Sequence, residues 1–316
     1  MGVTTPDKAL EWEARQGPRA AIAAALGALL VIGSGVGTYE VFKDAPVTGF
    51  VDSLARAGRA GGVDSLPSLR TKYFQFYDDK AITVLLTAIA RGLGFVAIAF
   101  MLTYLGTAVR NRAGGFRSFW IYVALAGGLL GAIATVMFTL GTSSEISGFL
   151  NGPHTVDRAD DIGQSSLLVA AQLIGIPGTQ AIGLASLALG MGWVVICLNA
   201  MRIGLLTRFM GVLGVICGAL IVLPILSPLP IVQTFWLGAM AVLLAKRWPN
   251  GVPAAWTTGE VAPWPSQAEA REKRRAEMQR RRGGDPEPAA VPAPETPDAP
   301  GQAHGASKKK KRKRRR

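Results

Sequence analysis

The chain has 316 residues, of which 49% are hydrophobic and 17% are charged, and its formal net charge is +13. The apolar residues come in long runs, which favours membrane-spanning helices and excludes the alternating pattern of a barrel. The chain has two histidines and two cysteines. Neither a His/Cys zinc site nor a disulfide framework can be assembled from them, so we expect no metal and no cofactor.

Six apolar segments are long enough to cross a bilayer, which takes about 20 residues and tolerates about 17. They are Ala20–Phe42, Ile82–Val109, Phe119–Gly141, Gln180–Ala200, Phe209–Leu226 and Leu229–Ala245. The last two are short and are separated only by the Pro-rich LSPLP, so we expect a tight helical hairpin. The prediction is an all-α fold with a six-helix transmembrane bundle over 20–246. Residues 1–19 carry three acids and precede a long first run, so we predict a cytoplasmic segment before an uncleaved helix.

The orientation follows from where the basic residues fall. The short connections 110–118 and 201–208 contain five arginines and no acid, which predicts that they face the cytoplasm. The connection 142–179 carries a single basic residue, Arg158, and four acids, which places it outside. Six crossings then place both termini in the cytoplasm.

The composition changes after the last apolar run. Residues 247–265 contain three tryptophans among prolines and glycines, which is typical of a juxtamembrane belt at headgroup level or of a linker with incidental tryptophan. Residues 266–284 open on a capping box and carry Glu/Lys and Glu/Arg pairs four apart, which predicts a charged cytoplasmic helix. Residues 285–316 are Pro-rich and end in a basic block, which predicts a disordered linker and tail.

The basic block reads KKKKRKRRR. From Lys246 onward there are 18 basic and 8 acidic residues, which is +10 of the +13. Tethered beside a membrane, such a block is expected to dock on anionic lipid; contact with nucleic acid or the ribosome, or a purely solubilising role, are the alternatives. The lipid-binding candidates are Lys308, Lys309, Lys310, Lys311, Arg312, Lys313, Arg314, Arg315 and Arg316.

Arg91 is the basic residue that lies well inside an apolar run, where a charge is costly unless it is paired or reaches the interface. Counted from the predicted cytoplasmic helix ends, Glu40 lies at a similar depth. We therefore predict a buried Glu40–Arg91 ion pair that clamps the bundle. A gating or substrate-coupling role, and simple snorkelling of Arg91, are the alternatives.

Three other features suggest contacts but no chemistry. Small-residue pairs in several spans let helices approach closely, either within the bundle or in a homo-oligomer. The stretch 165–176 is too short to cross and is expected to be re-entrant or interfacial, and 49–62 could form a short surface helix. The glycine pairs are Gly33/Gly37, Gly127/Gly131 and Gly214/Gly218.

Two stretches carry a resemblance. The run NAMRIGLLTRFMGVLGVICGALIVLP, with its Asn- and Arg-containing turn before an apolar span that ends in proline, resembles a loosely defined group of bacterial polytopic membrane proteins. The following RWPNGVPAAWTTGEVAPWPS is similar to juxtamembrane segments of such proteins. The group has no assigned activity, so the resemblance implies the class of protein and nothing about its chemistry.

Taken together, these patterns predict a multi-pass membrane protein that acts as an interaction or regulatory component through its basic tail. The alternative is a small-molecule or ion transporter or channel built around Arg91. No Ser/His/Asp order and no phosphate loop stands out, so we expect no enzymatic activity.

Overall fold

A computed structural model describes residues 5–46, 70–152, 159, 162, 178–222, 230–249, 251–264, 271–272 and 274–278. The elements formed by these residues are helices, and this part of the chain contains no strand. The predicted all-α class is therefore confirmed. The helices are α1 (Pro6–Phe42), α2 (Thr71–Asp79), α3 (Ala81–Arg112), α4 (Phe119–Leu150), α5 (Gly178–Arg202), α6 (Arg208–Val222), α7 (Ile231–Leu244) and the short α8 (Ala255–Thr258).

Four helices, α1, α3, α4 and α5, are long and apolar enough to cross a membrane. Helices α6 and α7 are apolar but have 15 and 14 residues. At 1.5 Å per residue they reach about 22 and 21 Å, less than the roughly 30 Å hydrocarbon core. Large apolar side chains such as Leu29, Ile82 and Phe209 are exposed on the outside of the bundle, as lipid contact requires. The structure thus supports a membrane protein with four long spans and two shorter apolar helices.

Helix α1 begins much earlier than its apolar run. Pro6 occupies its first turn, where the missing N–H costs nothing, and the helix continues through the predicted 1–19 segment. Ala9, Glu13 and Gly17, four residues apart, are buried on one face of this extension. Residues 6–19 of the predicted N-terminal segment are therefore part of helix α1 and pack on the bundle.

The helices pack in a nearly closed series. Helix α1 contacts α3, α3 contacts α4, α4 contacts α5 and α5 contacts α6, while α7 returns to lie against α1. Trp193 of α5 and Trp236 of α7 lie at the centre with ring centroids 4.9 Å apart, and both are fully buried. Trp236 donates its indole N–H to the carbonyl of Met210 over 2.9 Å, which satisfies a polar group in the core.

Close helix approach depends on glycine at two contacts. A Cβ on Gly190 would lie 2.6 Å from the carbonyl oxygen of Gly218, and a Cβ on Gly127 would lie 2.4 Å from the amide nitrogen of Leu189. The predicted small-residue faces at Gly127 and Gly214/Gly218 are thus used within the chain, whereas Gly33 borders open space.

The bundle has two distinct ends. At the basic end lie the starts of α1, α4 and α6 and the ends of α3, α5 and α7, joined by one large core. At the opposite end a smaller cluster is built from Val41, Phe74, Tyr77 and Phe149. Successive long helices therefore run in alternating directions, as the predicted hairpins require.

The chain divides into two units, Met1–Trp264 and Pro265–Arg316. In the second unit the described residues, 271–272 and 274–278, are helical and exposed. The predicted surface helix at 49–62, the segment 165–176 and the basic block Lys308–Arg316 lie outside the described residues.

Candidate functional site

Arg91 lies on α3 against α1 and is half-buried. Its Nη2 donates to Oγ1 of Thr38 over 3.0 Å. The Thr38 hydroxyl donates in turn to the carbonyl of Ser34 over 2.8 Å, so its oxygen lone pairs face the guanidinium. Its acceptor is a neutral hydroxyl, so among the described residues the positive charge of Arg91 has no anionic partner.

Glu40 has a different partner. Nζ of Lys43 donates to Oε2 of Glu40 over 2.6 Å, and this bond raises the pKa of the lysine amine. The described residues contain no ion pair between Glu40 and Arg91. The reason is rotational: Thr38 faces α3, and Glu40 comes two residues later, about 200° around the helix. The similar depth predicted for Glu40 and Arg91 is compatible with this placement, but the structure does not bring these two side chains together.

A cavity of about 600 Å³ lies beside Arg91. We call it the Arg91 groove. It follows one face of α1, because its α1 residues recur every three to four positions from Val31 to Lys43. Its lining consists of Val31, Ser34, Gly35, Thr38, Tyr39, Phe42 and Lys43 of α1, Arg91 and Phe95 of α3, and Pro230.

The shortness of helix α7 explains why this space exists. Helix α7 packs along α1 from the basic end, where the backbone of Leu244 lies near Gly17, but it begins only at Ile231. Pro230 is the residue that borders the groove from that side. With 14 residues against 37, α7 does not reach the part of α1 that lies toward the end opposite the basic end, and no other described residue beyond Pro230 covers this face from the side of α7. The groove is the continuation of the α1–α7 contact beyond the start of α7.

The basic end holds an ion pair that the sequence did not suggest. Arg112, at the end of α3, donates through Nη1 to Oε1 and through Nη2 to Oε2 of Glu13, the latter over 3.0 Å. Both side chains are buried, at 0% and 5% exposure. Nη2 also donates to the carbonyl of Ala255 over 2.8 Å. Such bidentate geometry is what a buried guanidinium needs to offset its desolvation.

Aromatic rings surround this pair. Trp12 stacks on Tyr104 at 5.1 Å, and Tyr104 lies parallel to Trp256 at 6.1 Å. The guanidinium carbon of Arg112 lies 5.6 Å from the centroid of the Trp256 ring. The rings cover one side of the pair and add a cation–π contact.

The residues after α7 pack on the bundle. We call 248–264 the strap. Trp256 donates to the carbonyl of Leu205 and Trp264 to that of Leu206, both over 2.8 Å, so the two indoles satisfy carbonyls just after the C-terminus of α5. Gly204 has φ +82°, and a Cβ there would lie 1.9 Å from the carbonyl oxygen of Ala262. The predicted tryptophan belt is therefore a packed structural element, with Trp256 buried.

A second cavity, of about 470 Å³, opens between α1 and α7 at the basic end. Glu13, Pro18 and Tyr104 line one side, and Lys246 and Arg247 line the other. Lys246 has φ 58°, the left-handed conformation that glycine usually supplies after a helix. Among the described residues it is the one non-glycine with positive φ.

The signals for Glu13 and Arg112 were weak in the sequence. Glu13 is one of three acids in the N-terminal segment, and Arg112 is one of three arginines in a short basic connection. The burial of Ala9, Glu13 and Gly17 on one face is the pattern that could have been found, since it marks a helix packed on the bundle.

Among the described residues, no group of three or more His, Cys, Asp or Glu could hold a metal ion. No family model, curated protein or solved structure matches this chain. The site is therefore defined by geometry alone: a paired, enclosed arginine at the basic end and an uncompensated arginine beside a groove toward the opposite end.

Proposed function

We propose that this chain is a six-span protein of the bacterial cell membrane, with both termini cytoplasmic, and that it is an interaction or regulatory component without enzymatic activity. Its basic block, Lys308–Arg316, docks on anionic lipid. Each basic residue near such a surface contributes about 1 kcal/mol, within a screening length of about 8 Å.

The observation that carries this proposal is the position of the strap. Trp264, the last described residue of the first unit, is bonded to Leu206 in the basic connection between α5 and α6. The chain therefore leaves the first unit at the end of the bundle where the short arginine-rich connections lie, which is at a membrane surface if those connections face the cytoplasm. Tethering there raises the effective concentration of lipid headgroups over that of a free partner.

The docking is tested on the full chain in liposomes. A fluorophore attached at Ser307→Cys reports membrane contact, and a variant with all nine basic residues of the block changed to glutamine is the control. We expect contact in anionic liposomes, release as salt rises and no contact in the control. Equal contact in neutral liposomes, or displacement by RNA at physiological salt, would contradict lipid docking in favour of the alternatives.

The six crossings are tested by labelling cysteines in intact cells. Cysteines at positions 160 and 227 should react from outside, and a cysteine at position 114 from inside. Position 227, between α6 and α7, is decisive, because a hairpin that does not cross would leave it unlabelled from outside. Four spans would then replace six.

The Arg91 groove favours a second candidate function, a small-molecule or ion transporter. A charged side chain beside open space in a span is typical of a substrate pathway. Uptake of anions into proteoliposomes, lost in Arg91→Leu and kept in Arg19→Gln at the basic end of α1, would support it. Assembly into homo-oligomers stays a prediction, which crosslinking at Gly33 would test.

A further inference from the structure

Among the described residues, the charge of Arg91 has no anionic partner. Its one hydrogen bond among the described residues is to the neutral hydroxyl of Thr38, and no carboxylate of the described residues lies within ion-pair distance. Lys43, the other cation of the groove, already has Glu40 as its partner. A half-buried guanidinium in an apolar span is stabilised by an anion that the described chain does not supply.

The side chain of Arg91 is directed toward the end of the bundle opposite the basic end. Side chains of a helix lean toward its N-terminus, and α3 begins at the opposite end of the bundle. The Arg91 side chain therefore extends along α1 toward the C-terminus of that helix, where Thr38, Tyr39 and Lys43 lie. This is the snorkelling direction, and it brings the guanidinium toward headgroup depth.

The groove changes character along its length. Its upper part, toward the C-terminus of α1, holds Lys43, Phe42, Tyr39, Thr38 and Arg91, and its lower part holds Gly35, Ser34, Val31 and Phe95. From Val31 to Lys43 it runs about 18 Å at 1.5 Å per residue. Both cations lie in the upper part, and the lower part is apolar except for Ser34, whose hydroxyl donates to the carbonyl of Val31. This arrangement matches a molecule with an anionic head and a hydrocarbon chain.

The rim of the groove lies on the outer surface of the bundle. Tyr39 lines the groove and is 61% exposed, and the neighbouring Val36 is 47% exposed on the outer surface of α1. A molecule that diffuses in the membrane can therefore enter from the side.

Arg91 has no anionic partner among the described residues, its side chain points toward the cationic part of the groove, and the rest of the groove is mainly apolar. From these three observations we propose that the Arg91 groove binds an anionic phospholipid. The phosphate accepts hydrogen bonds from the Arg91 guanidinium, and one acyl chain lies along Gly35, Val31 and Phe95. The proposal rests on the membrane placement of the bundle and not on the docking of the tail. Phosphate itself could also come from solution, so the test separates the two sources.

The full-length protein in an uncharged detergent is titrated with phosphatidylglycerol. Binding is followed by the shift in unfolding temperature and by retained lipid in native mass spectrometry. Parallel titrations use inorganic phosphate and diacylglycerol, which supply the phosphate and the chains separately. We expect tight retention of phosphatidylglycerol and at least tenfold weaker binding of either part.

The variants are made in two backgrounds, the natural tail and the tail with its nine basic residues changed to glutamine. Arg91→Gln should weaken phosphatidylglycerol binding at least tenfold in both backgrounds. Arg19→Gln, which removes an exposed arginine of α1, should leave it unchanged. Arg91→Lys keeps the charge without the planar fork and should weaken binding less. If the tail does not dock on lipid, the differences in phosphatidylglycerol binding between these variants should remain. The proposal for the tail and the proposal for the Arg91 groove can therefore fail separately.

Equal affinity of the natural chain and Arg91→Gln in the tail-neutralised background would overturn the proposal. Inorganic phosphate that saturates the stabilisation at the same concentration would overturn the lipid as occupant. If Arg91→Gln does not fold, Thr38→Val decides, because it keeps the charge and the volume but removes the oxygen that orients the guanidinium. We expect a loss of threefold or more; no loss would count against the site.

Discussion

Helix α3 carries an arginine toward each end, and their surroundings differ completely. Arg112 is fully buried, has a bidentate carboxylate partner and lies over an aromatic ring. Arg91 is half-buried, has one neutral hydroxyl partner and borders about 600 Å³ of open space. The two are about 30 Å apart along the helix. The comparison separates a cation that the protein neutralises internally, which stabilises structure, from one that it leaves for an external partner.

The largest effect is expected from breaking the basic-end pair. Glu13→Gln should lower the free energy of unfolding by about 3–5 kcal/mol, because it leaves a buried guanidinium without its counter-charge. Reversible unfolding in mixed micelles measures this. Glu13→Leu together with Arg112→Met should recover part of the loss.

The control for this prediction is the exposed pair Glu11–Arg15, whose side chains are 68% and 76% exposed. Arg15→Gln should cost less than about 1 kcal/mol. If Glu13→Gln costs no more than Arg15→Gln, the buried pair with Arg112 does not stabilise the fold, and the contrast drawn between Arg112 and Arg91 fails.

The next effect concerns the strap. Trp256→Phe should cost about 1–3 kcal/mol, because it leaves the buried carbonyl of Leu205 without a donor. Trp264→Phe is the matched control: it removes the same kind of bond to Leu206, but the ring is 38% exposed and water can replace the donor. Equal losses in the two variants would show that the strap does not exclude water.

A stabilising change is expected at the end of α7. Lys246→Gly should raise the free energy of unfolding by about 1 kcal/mol, because glycine adopts a positive φ without steric cost. Lys246→Ala should not stabilise, since it keeps the Cβ. A gain for alanine as large as for glycine would trace the effect to the lysine charge and not to the backbone.

The smallest effect is the coupling between Arg91 and Glu40. In a double-mutant cycle of Arg91→Leu and Glu40→Gln, the two changes in unfolding free energy should add within about 0.5 kcal/mol, because the residues have separate partners. A coupling free energy above about 1 kcal/mol would instead support the predicted Glu40–Arg91 ion pair. Arg91 would then have a carboxylate partner within the chain, as Arg112 does.

The class and the long helices could be predicted because a bilayer allows few solutions. A spanning segment must be continuous and apolar, and this is visible in the runs that became α1, α3, α4 and α5. The depth of Arg91 could also be estimated by counting residues from the helix ends. Its partner could not, because a rotation of one residue, about 100°, decides which side chain of α1 it meets.

The basic-end pair could not be predicted for a related reason. Glu13 and Arg112 are 99 positions apart, and their meeting depends on the register and rotation of α1 against α3. Polar residues outside apolar runs are usually solvated, so their burial follows from tertiary packing and not from local pattern. The tryptophans of the strap were visible in the sequence, but which carbonyls they satisfy depends on the path of the chain after α5.

The hydrogen bond from Arg112 to the carbonyl of Ala255 has a consequence for how the protein is made. The carbonyl of Ala255 lies 143 positions downstream of the arginine that it binds. During synthesis, α1 and α3 enter the membrane long before residue 255 leaves the ribosome, so nascent chains pass through a stage in which Arg112 lacks this acceptor. We expect chains truncated before the strap to be recognised by quality-control proteases, even though all their apolar helices are present.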